Sequence, residues 1–239
     1  MRVETDVSES VEAVLLDAGG VLVMPSPDLT LPVVRAAGAD PDEVVLDRAH
    51  FLATAATDAN PPRDRMLYMR TYAWACGVAA ERVDATAVEL GALFNGHNFT
   101  MRSPRATPEV LKALSALPVA MAVVSNSIGL VAEQLRDAKV CQVGPGPGLS
   151  VEFVIDSALV GVAKPDPAIF RLAFDRLNVS PRRVVYVGDT ARIDVDGAHA
   201  AGMRSLHLDP YGDCPDPAGH HEHLRGLLEL ADRLDRRGA

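Results

Sequence analysis

Asp17 stands where the apolar run Val14-Leu15-Leu16 breaks into Ala18-Gly19-Gly20-Val21-Leu22, and far downstream Tyr186-Val187-Gly188-Asp189 repeats the pattern with a second carboxylate. Between them Ala122-Val123-Val124 runs into Ser125-Asn126, and Lys164 precedes Pro165-Asp166-Pro167. Hydroxyl, ammonium and carboxylates that converge on one rim suit a phosphate group, a magnesium ion and an aspartate nucleophile. A phosphate ester is a dianion, so a carboxylate attacks it only where a metal and a lysine neutralise both charges.

Such convergence needs short buried strands that end together. Val11 to Leu16, Val119 to Val124, Val151 to Ile155, Val184 to Val187 and Ser205 to Leu208 read as strands. They lack clean polar alternation and are separated by helical patterns at Thr107 to Leu117, Leu130 to Arg136, Pro167 to Leu177 and Val195 to Ala201, which predicts a parallel sheet covered on both faces. Ligands of such sheets bind beyond the carboxyl ends of the strands, where Asp17, Ser125 and Asp189 fall. After Val23, prolines 25, 27 and 32 punctuate a linker. Apolar residues then recur at helical spacing over Leu31 to Ala37, Pro41 to Ala56, Arg63 to Cys76 and Glu81 to Phe94. The expected organisation is a core of residues 11–24 and 106–239 and a helical cap of residues 25–105. Gly144 to Gly148 reads as a surface loop, Asp209 to Glu222 as loop, and Leu224 to Leu234 as a closing amphipathic helix.

The chain resembles the haloacid dehalogenase-like hydrolase superfamily at four stations in the right order. These are Leu15-Leu16-Asp17-Ala18-Gly19-Gly20-Val21-Leu22, Val123-Val124-Ser125-Asn126, Gly161-Val162-Ala163-Lys164-Pro165-Asp166-Pro167, and Val187-Gly188-Asp189-Thr190-Ala191-Arg192-Ile193-Asp194. The resemblance implies an α/β fold with a Rossmann-like parallel core and an inserted helical cap of the C1 type. It implies a phosphatase-like hydrolase that uses Mg2+, with Asp17 as the nucleophile forming an aspartyl-phosphate and Lys164 as its catalytic partner. Ser125, Asn126 and Lys164 would bind the phosphate. Asp17, the main-chain carbonyl of Gly19, Asp189 and Asp194 would serve the metal, Asp194 either through a metal-bound water or by orienting Asp189. Asp156, Asp166 and Asp196 are expected to be caps or surface groups.

Gly19 is the departure. Phosphatases of this superfamily usually carry there a second aspartate, which protonates the leaving oxygen and then activates water. General acid-base catalysis is typically worth about 10²- to 10⁴-fold, and glycine supplies none of it. Another group substitutes, the leaving group needs no proton, or the protein is a phosphate- and metal-binding regulatory domain that no longer turns over. Phosphonate cleavage of the family's kind needs a cap lysine, and residues 25–105 contain none. Dehalogenation is disfavoured by the paired acids Asp189 and Asp194. Candidate substitutes from the helical block are His50, Asp58, Asn60, Arg63, Asp64, His97, Asn98 and Arg102, with the two histidines foremost because imidazole exchanges protons near neutral pH.

Composition sets the outer bounds. The 239 residues are 48% hydrophobic, enough for one sizeable core and an insert, and the formal net charge of −9 argues against nucleic acid as partner. No apolar run approaches the roughly 18 residues of a membrane helix, and Met1 to Glu12 is acidic without an apolar centre, so a cytoplasmic location and a small phosphorylated metabolite as partner are expected. Cys76, Cys141 and Cys214 show no spacing suggestive of zinc or a disulfide framework. His220, His221 and His223 could take a transition metal adventitiously, but a hydrated loop is the expected role. The oligomeric state is left open.

Overall fold

The computed structural model describes residues 10–61, 64–94, 101–215 and 221–238. The chain opens with β1 (Ala13–Leu16), every residue of which is buried. Ala13 and Leu15 enter one hydrophobic cluster and Val14 and Leu16 another, which is why the run shows no polar alternation. The chain continues through β2 (Met24–Pro25) to four helices, α1 (Pro27–Ala36), α2 (Glu43–Ala59), α3 (Arg65–Ala75) and α4 (Ala80–Leu93). Then come β3 (Met101–Arg102), α5 (Pro108–Ser115), β4 (Ala120–Ser125), α6 (Val131–Asp137), β5 (Cys141–Val143), β6 (Leu149–Val151) and β7 (Val154–Asp156). The short α7 (Ser157–Val160), α8 (Ala168–Leu177), β8 (Val184–Gly188), α9 (Asp196–Ala200), β9 (Arg204–Leu208), β10 (Glu222–Leu224) and α10 (Leu227–Gly238) complete the order.

Six strands form one sheet in the order β10-β9-β8-β1-β4-β7, parallel at every pairing. Val110 and Leu114 of α5, Val131 and Leu135 of α6 and Leu227 and Leu230 of α10 cover one face. Ile169, Phe170 and Ala173 of α8 and Ala198 of α9 cover the other. Leu16 pairs with both Val123 and Val187, so Asp17 comes level with Val124 and Gly188, and Ser125 and Asp189 follow one step later. Register alone therefore delivers both acids and the serine to one edge. The four helices α1 to α4 pack around a third cluster of their own, which includes Val34, Leu46, Ala53, Met69, Tyr72 and Leu90.

Several boundaries differ from the sequence reading. The proline-rich linker is mostly helix: Ser26 caps α1 by accepting from the Asp28 N–H, and Pro27 occupies the first turn, where its missing N–H is no loss. α2 starts at Glu43 and not at Pro41, with Asp42 as its cap accepting from the Val45 N–H at 2.8 Å, and the helix runs past Ala56 to Ala59. Val151 to Ile155 divides into β6 and β7. Beyond the predicted strands are the antiparallel pair β2 and β3, which brackets the four-helix segment, and β5 beside β6. β10 adds an edge strand where loop and then helix are expected, and α10 starts only at Leu227. No helix among the described residues is long and apolar enough to cross a membrane.

Candidate active site

Beyond β1 the chain folds back on itself. The N–H groups of Leu22 and Val23 donate to the Ala18 carbonyl, and Gly20 donates to Val23. The turn holds the Asp17 carboxylate at the sheet edge, where Oδ1 accepts from the Ala18 N–H at 2.7 Å. Gly20 has φ +71°, and a Cβ there would lie 2.1 Å from Asp189 Oδ2, so both the backbone conformation and the space demand glycine. Gly19 is different: a Cβ there would have nothing within 4 Å.

Lys164 is buried, and its Nζ lies 3.0 Å from Asp17 Oδ1 and 2.7 Å from Asp194 Oδ1, while donating to Tyr186 Oη at 2.7 Å. Asp194 accepts from the Thr190 hydroxyl at 2.7 Å and the Thr190 N–H at 3.1 Å. A π-helical turn over Ala191–Val195 brings it back to the strand end. Gly188 makes room, because a Cβ there would sit 2.3 Å from Asp194 Cγ.

Carboxylate oxygens of Asp17, Asp189 and Asp194 lie within 4.8 Å of one another, all three residues being buried. Burial, with Asp194 and Asp189 adding to it against the opposing pull of Lys164, pushes the Asp17 carboxyl up to about 7. Burial disfavours the ammonium form of Lys164, but Asp17 and Asp194 reverse that and leave its pKa raised. Burial and the same two carboxylates raise the Tyr186 phenol well above its ordinary value, which keeps it a neutral donor. Three clustered carboxylates facing one ammonium leave a local excess of negative charge. That oxygen donor set fits a hard divalent cation.

Ser125, at the end of β4, lines the same cavity, whose volume is about 130 Å³ and whose wall also carries Asp17, Lys164, Asp189 and Asp194. Asn126 lines both this cavity and a larger neighbour, and its carboxamide donates to the Lys164 carbonyl at 2.9 Å and accepts from the Lys164 N–H at 2.8 Å. These two bonds position the main chain of the lysine. Asp156 and Asp166 act as the caps expected of them, accepting from the Ala158 and Ala168 N–H groups.

The four-helix segment sends two polar groups to the sheet edge. His50 of α2 places Nε2 2.6 Å from Asp189 Oδ2 and Nδ1 2.8 Å from the Tyr68 hydroxyl. Asp58, near the end of the same helix, accepts from the Ala191 N–H at 2.6 Å and the Arg192 N–H at 3.3 Å, and burial raises its pKa against those two bonds. The other candidates turn elsewhere. Asn60 donates to the Ala56 carbonyl, Asp64 accepts from the Met66 N–H at the head of α3, and Arg102 pairs with Glu43 at 2.8 Å. Arg63, His97 and Asn98 lie outside the described residues.

A second cavity of about 510 Å³ shares Gly19, His50, Ser125 and Asn126 with the first. Tyr68, Met69, Phe94 and Ile128 give much of its wall an apolar character. His50 therefore sits at the junction of a small polar chamber and a larger, mostly apolar one. Tyr186, Tyr68 and Thr190 support this arrangement without having been singled out from sequence. Tyr186 carried a signal, as the one side chain with a polar group in the strand Val184–Gly188.

Fold and site together define an α/β protein whose clustered acids and lysine stand beyond the carboxyl ends of its parallel strands. The chain belongs to the haloacid dehalogenase-like hydrolase family, which it matches over residues 11–202. It is 42% identical over 66 residues to phosphoserine phosphatase of Thermus thermophilus, a match covering 27% of this chain and 26% of that protein. It is 36% identical over 89 residues to glyceraldehyde 3-phosphate phosphatase of Methanopyrus kandleri, over 34% and 38% of the two chains. The matched segments thus span well under half of either relative. The magnesium-bound HAD-hydrolase YfnB of Bacillus subtilis shares the fold with a TM-score of 0.59 at 16% identity, over 95% of this chain and all of that one.

Proposed function

We propose that this chain hydrolyses the phosphomonoester of a small metabolite in the cytoplasm with the help of Mg2+, through an aspartyl-phosphate on Asp17. The observation that carries the reading is the convergence of Asp17, Lys164, Asp189 and Asp194 at one sheet edge with an imidazole from the helical segment among them. The two relatives named for phosphatase activity support the reaction class.

Asp17, the Gly19 carbonyl, Asp189 and Asp194 would hold the cation, which when bound offsets charge on the phosphoryl oxygens and steadies the attacking carboxylate. Lys164 supplies the fixed positive charge beside Asp17. The Ser125 hydroxyl donates to a phosphoryl oxygen in the small chamber. Asp17 attacks phosphorus in line, the ester oxygen leaves, and water then cleaves the acyl phosphate.

The departing oxygen needs a proton that residue 19 cannot give. We assign that part to His50, whose Nε2 would turn from Asp189 Oδ2 to the leaving oxygen while Tyr68 keeps Nδ1, because it stands where the phosphate chamber opens into the larger cavity that would accommodate the leaving group. The same imidazole then removes a proton from the hydrolytic water. Residues 25–105 act as a cap over the core, and the apolar side chains of the larger cavity suit a leaving group with an apolar body. The acidic net charge of −9 suits neither nucleic acid nor an anionic membrane surface as partner. The rival reading, a domain that binds phosphate and metal without turnover, rests on Gly19, and the His50 imidazole at the sheet edge favours turnover over it.

Phosphate release from p-nitrophenyl phosphate, acetyl phosphate and common sugar and nucleotide monophosphates, with Mg2+ or EDTA, tests this reading with Asp17→Asn beside the wild type. Turnover that needs both Mg2+ and Asp17 is expected. Full activity in Asp17→Asn would sink the nucleophile assignment, and a wild type silent on every substrate favours the binding domain.

A further inference from the structure

A second cluster of ligand-type side chains lies outside the acid site. His207 of β9, Cys214 of the following loop, and His221 and His223 at β10 each place one ligand atom so that all four atoms fall within 4.8 Å of one another. The expectation of a hydrated loop therefore does not hold for His221 and His223, whose rings lie 4.7 Å apart and 5.1 and 5.2 Å from that of His207; His220 lies outside the described residues. We propose that His207, Cys214, His221 and His223 form a tetrahedral site for a divalent transition metal, zinc in the first instance.

The spacing of the atoms fits. With metal–nitrogen bonds near 2.05 Å and a metal–sulfur bond near 2.3 Å, a tetrahedron has edges of about 3.3 Å between two nitrogens and about 3.6 Å between nitrogen and sulfur. His207 Nδ1 and His221 Nε2 are 3.1 Å apart, and Cys214 Sγ lies 3.6 Å from His221 Nε2. Three imidazoles and one thiolate are borderline-soft ligands that take zinc or cobalt and leave Mg2+ aside.

The surroundings fit as well, because a metal-binding histidine ordinarily donates its other ring N–H to a carbonyl or carboxylate. His207 Nε2 lies 3.2 Å from the Asp189 carbonyl. A carbonyl only accepts, so that nitrogen carries the proton and Nδ1 is left facing the cluster. His223 Nδ1 lies 3.5 Å from Asp209 Oδ2, which assigns Nε2 to the metal. Asp209 also accepts from the N–H groups of Gly212 and Asp213 at 2.9 Å each, and thereby shapes the loop that presents Cys214. The site would staple the edge strand β10 to β9, and through His207 brace the main chain of Asp189.

The test is a Co2+ titration of the full, untagged, metal-stripped chain in excess Mg2+, a hard cation that competes for the carboxylate site and leaves thiolate alone. One equivalent of Co2+ per chain is expected, with thiolate-to-cobalt charge-transfer absorption that Zn2+ displaces. Cys214→Ser should abolish that absorption and Cys141→Ser should leave it. His221→Ala should weaken binding by at least about 100-fold. Circular dichroism of each variant separates ligand loss from unfolding. Substoichiometric binding, absence of the charge-transfer band, or a band that survives both Cys214→Ser and His221→Ala would overturn the site and leave a hydrogen-bonded imidazole cluster.

Discussion

His50 Nε2 and Asp189 Oδ2 stand 2.6 Å apart although 139 positions separate them in the chain. One belongs to the helical segment and the other follows a core strand, so this contact joins the two at the reactive edge. Tyr68 on α3 fixes the other ring nitrogen at 2.8 Å, which sets the orientation of the imidazole.

If His50 stands in for the acid-base group that Gly19 lacks, His50→Ala should lower kcat for alkyl phosphates by about 10²- to 10⁴-fold. Acetyl phosphate, whose leaving group needs little protonation, should lose much less. Gly19→Asp should add little to the wild type and restore much of the rate in the His50→Ala background. Steady-state kinetics on the four proteins decides this, and equal losses for both substrates would assign His50 a structural task.

The two neighbouring glycines should respond in opposite ways. A Cβ at Gly19 meets nothing within 4 Å, whereas one at Gly20 falls on Asp189 Oδ2 and His50 Nε2, at a φ of +71°. Gly19→Ala is expected to change stability by less than about 0.5 kcal/mol. Gly20→Ala should destabilise by about 1–3 kcal/mol and displace the Asp189 carboxylate, with loss of Mg2+ binding. Urea melts and Mg2+ titration calorimetry measure both effects.

Lys164 answers two carboxylates from inside the protein, with 1% of its side chain exposed. Lys164→Met leaves Asp17 and Asp194 without their counter-charge, and removal of one partner from such a buried pair costs about 3–5 kcal/mol. Mg2+ would restore part of the missing positive charge, so it should raise Tm more in Lys164→Met than in the wild type even though turnover is gone. An equal increment in the two proteins would place the cation away from these carboxylates.

Much of this arrangement is legible in the sequence, for identifiable reasons. Asp17, Asp189 and Ser125 each end a buried apolar run, and a parallel sheet brings such ends together whatever the register of its helices. Lys164 and Asp194 are legible only through their motifs, because the π turn that carries Asp194 back to the lysine has no period to read. Asn126 is at the expected edge, but its bonds to the Lys164 main chain are not legible, since sequence shows a carboxamide and not what it faces. β10 and β5 escape notice because three residues such as Glu222, His223 and Leu224 give no pattern until β9 lies beside them. Cys214 escapes for a related reason, its partners being histidines on two other elements and not a second cysteine nearby.

The raised pKa of Asp17 ties stability to pH and to the cation. The carboxyl is pushed up to about 7 by burial and by Asp194 and Asp189. In the unfolded chain it returns to its ordinary value of 3.8. Between about pH 4 and pH 7 the folded protein therefore holds a proton that the unfolded chain has released, so in EDTA this group's contribution to stability falls as pH rises through that window and is flat above it. Asp17→Asn removes the titration, and the variant should gain Tm relative to the wild type as pH goes from about 5.5 to about 8 in EDTA. Mg2+ prefers the ionised carboxylate, so its stabilisation of the wild type should be larger at the higher pH, with proton uptake by the buffer at the lower one. Thermal melts of both proteins at the two pH values, with and without Mg2+, measure these differences. A difference in Tm between wild type and Asp17→Asn that stays constant between the two pH values would mean that Lys164 outweighs the crowded acids and keeps Asp17 ionised throughout.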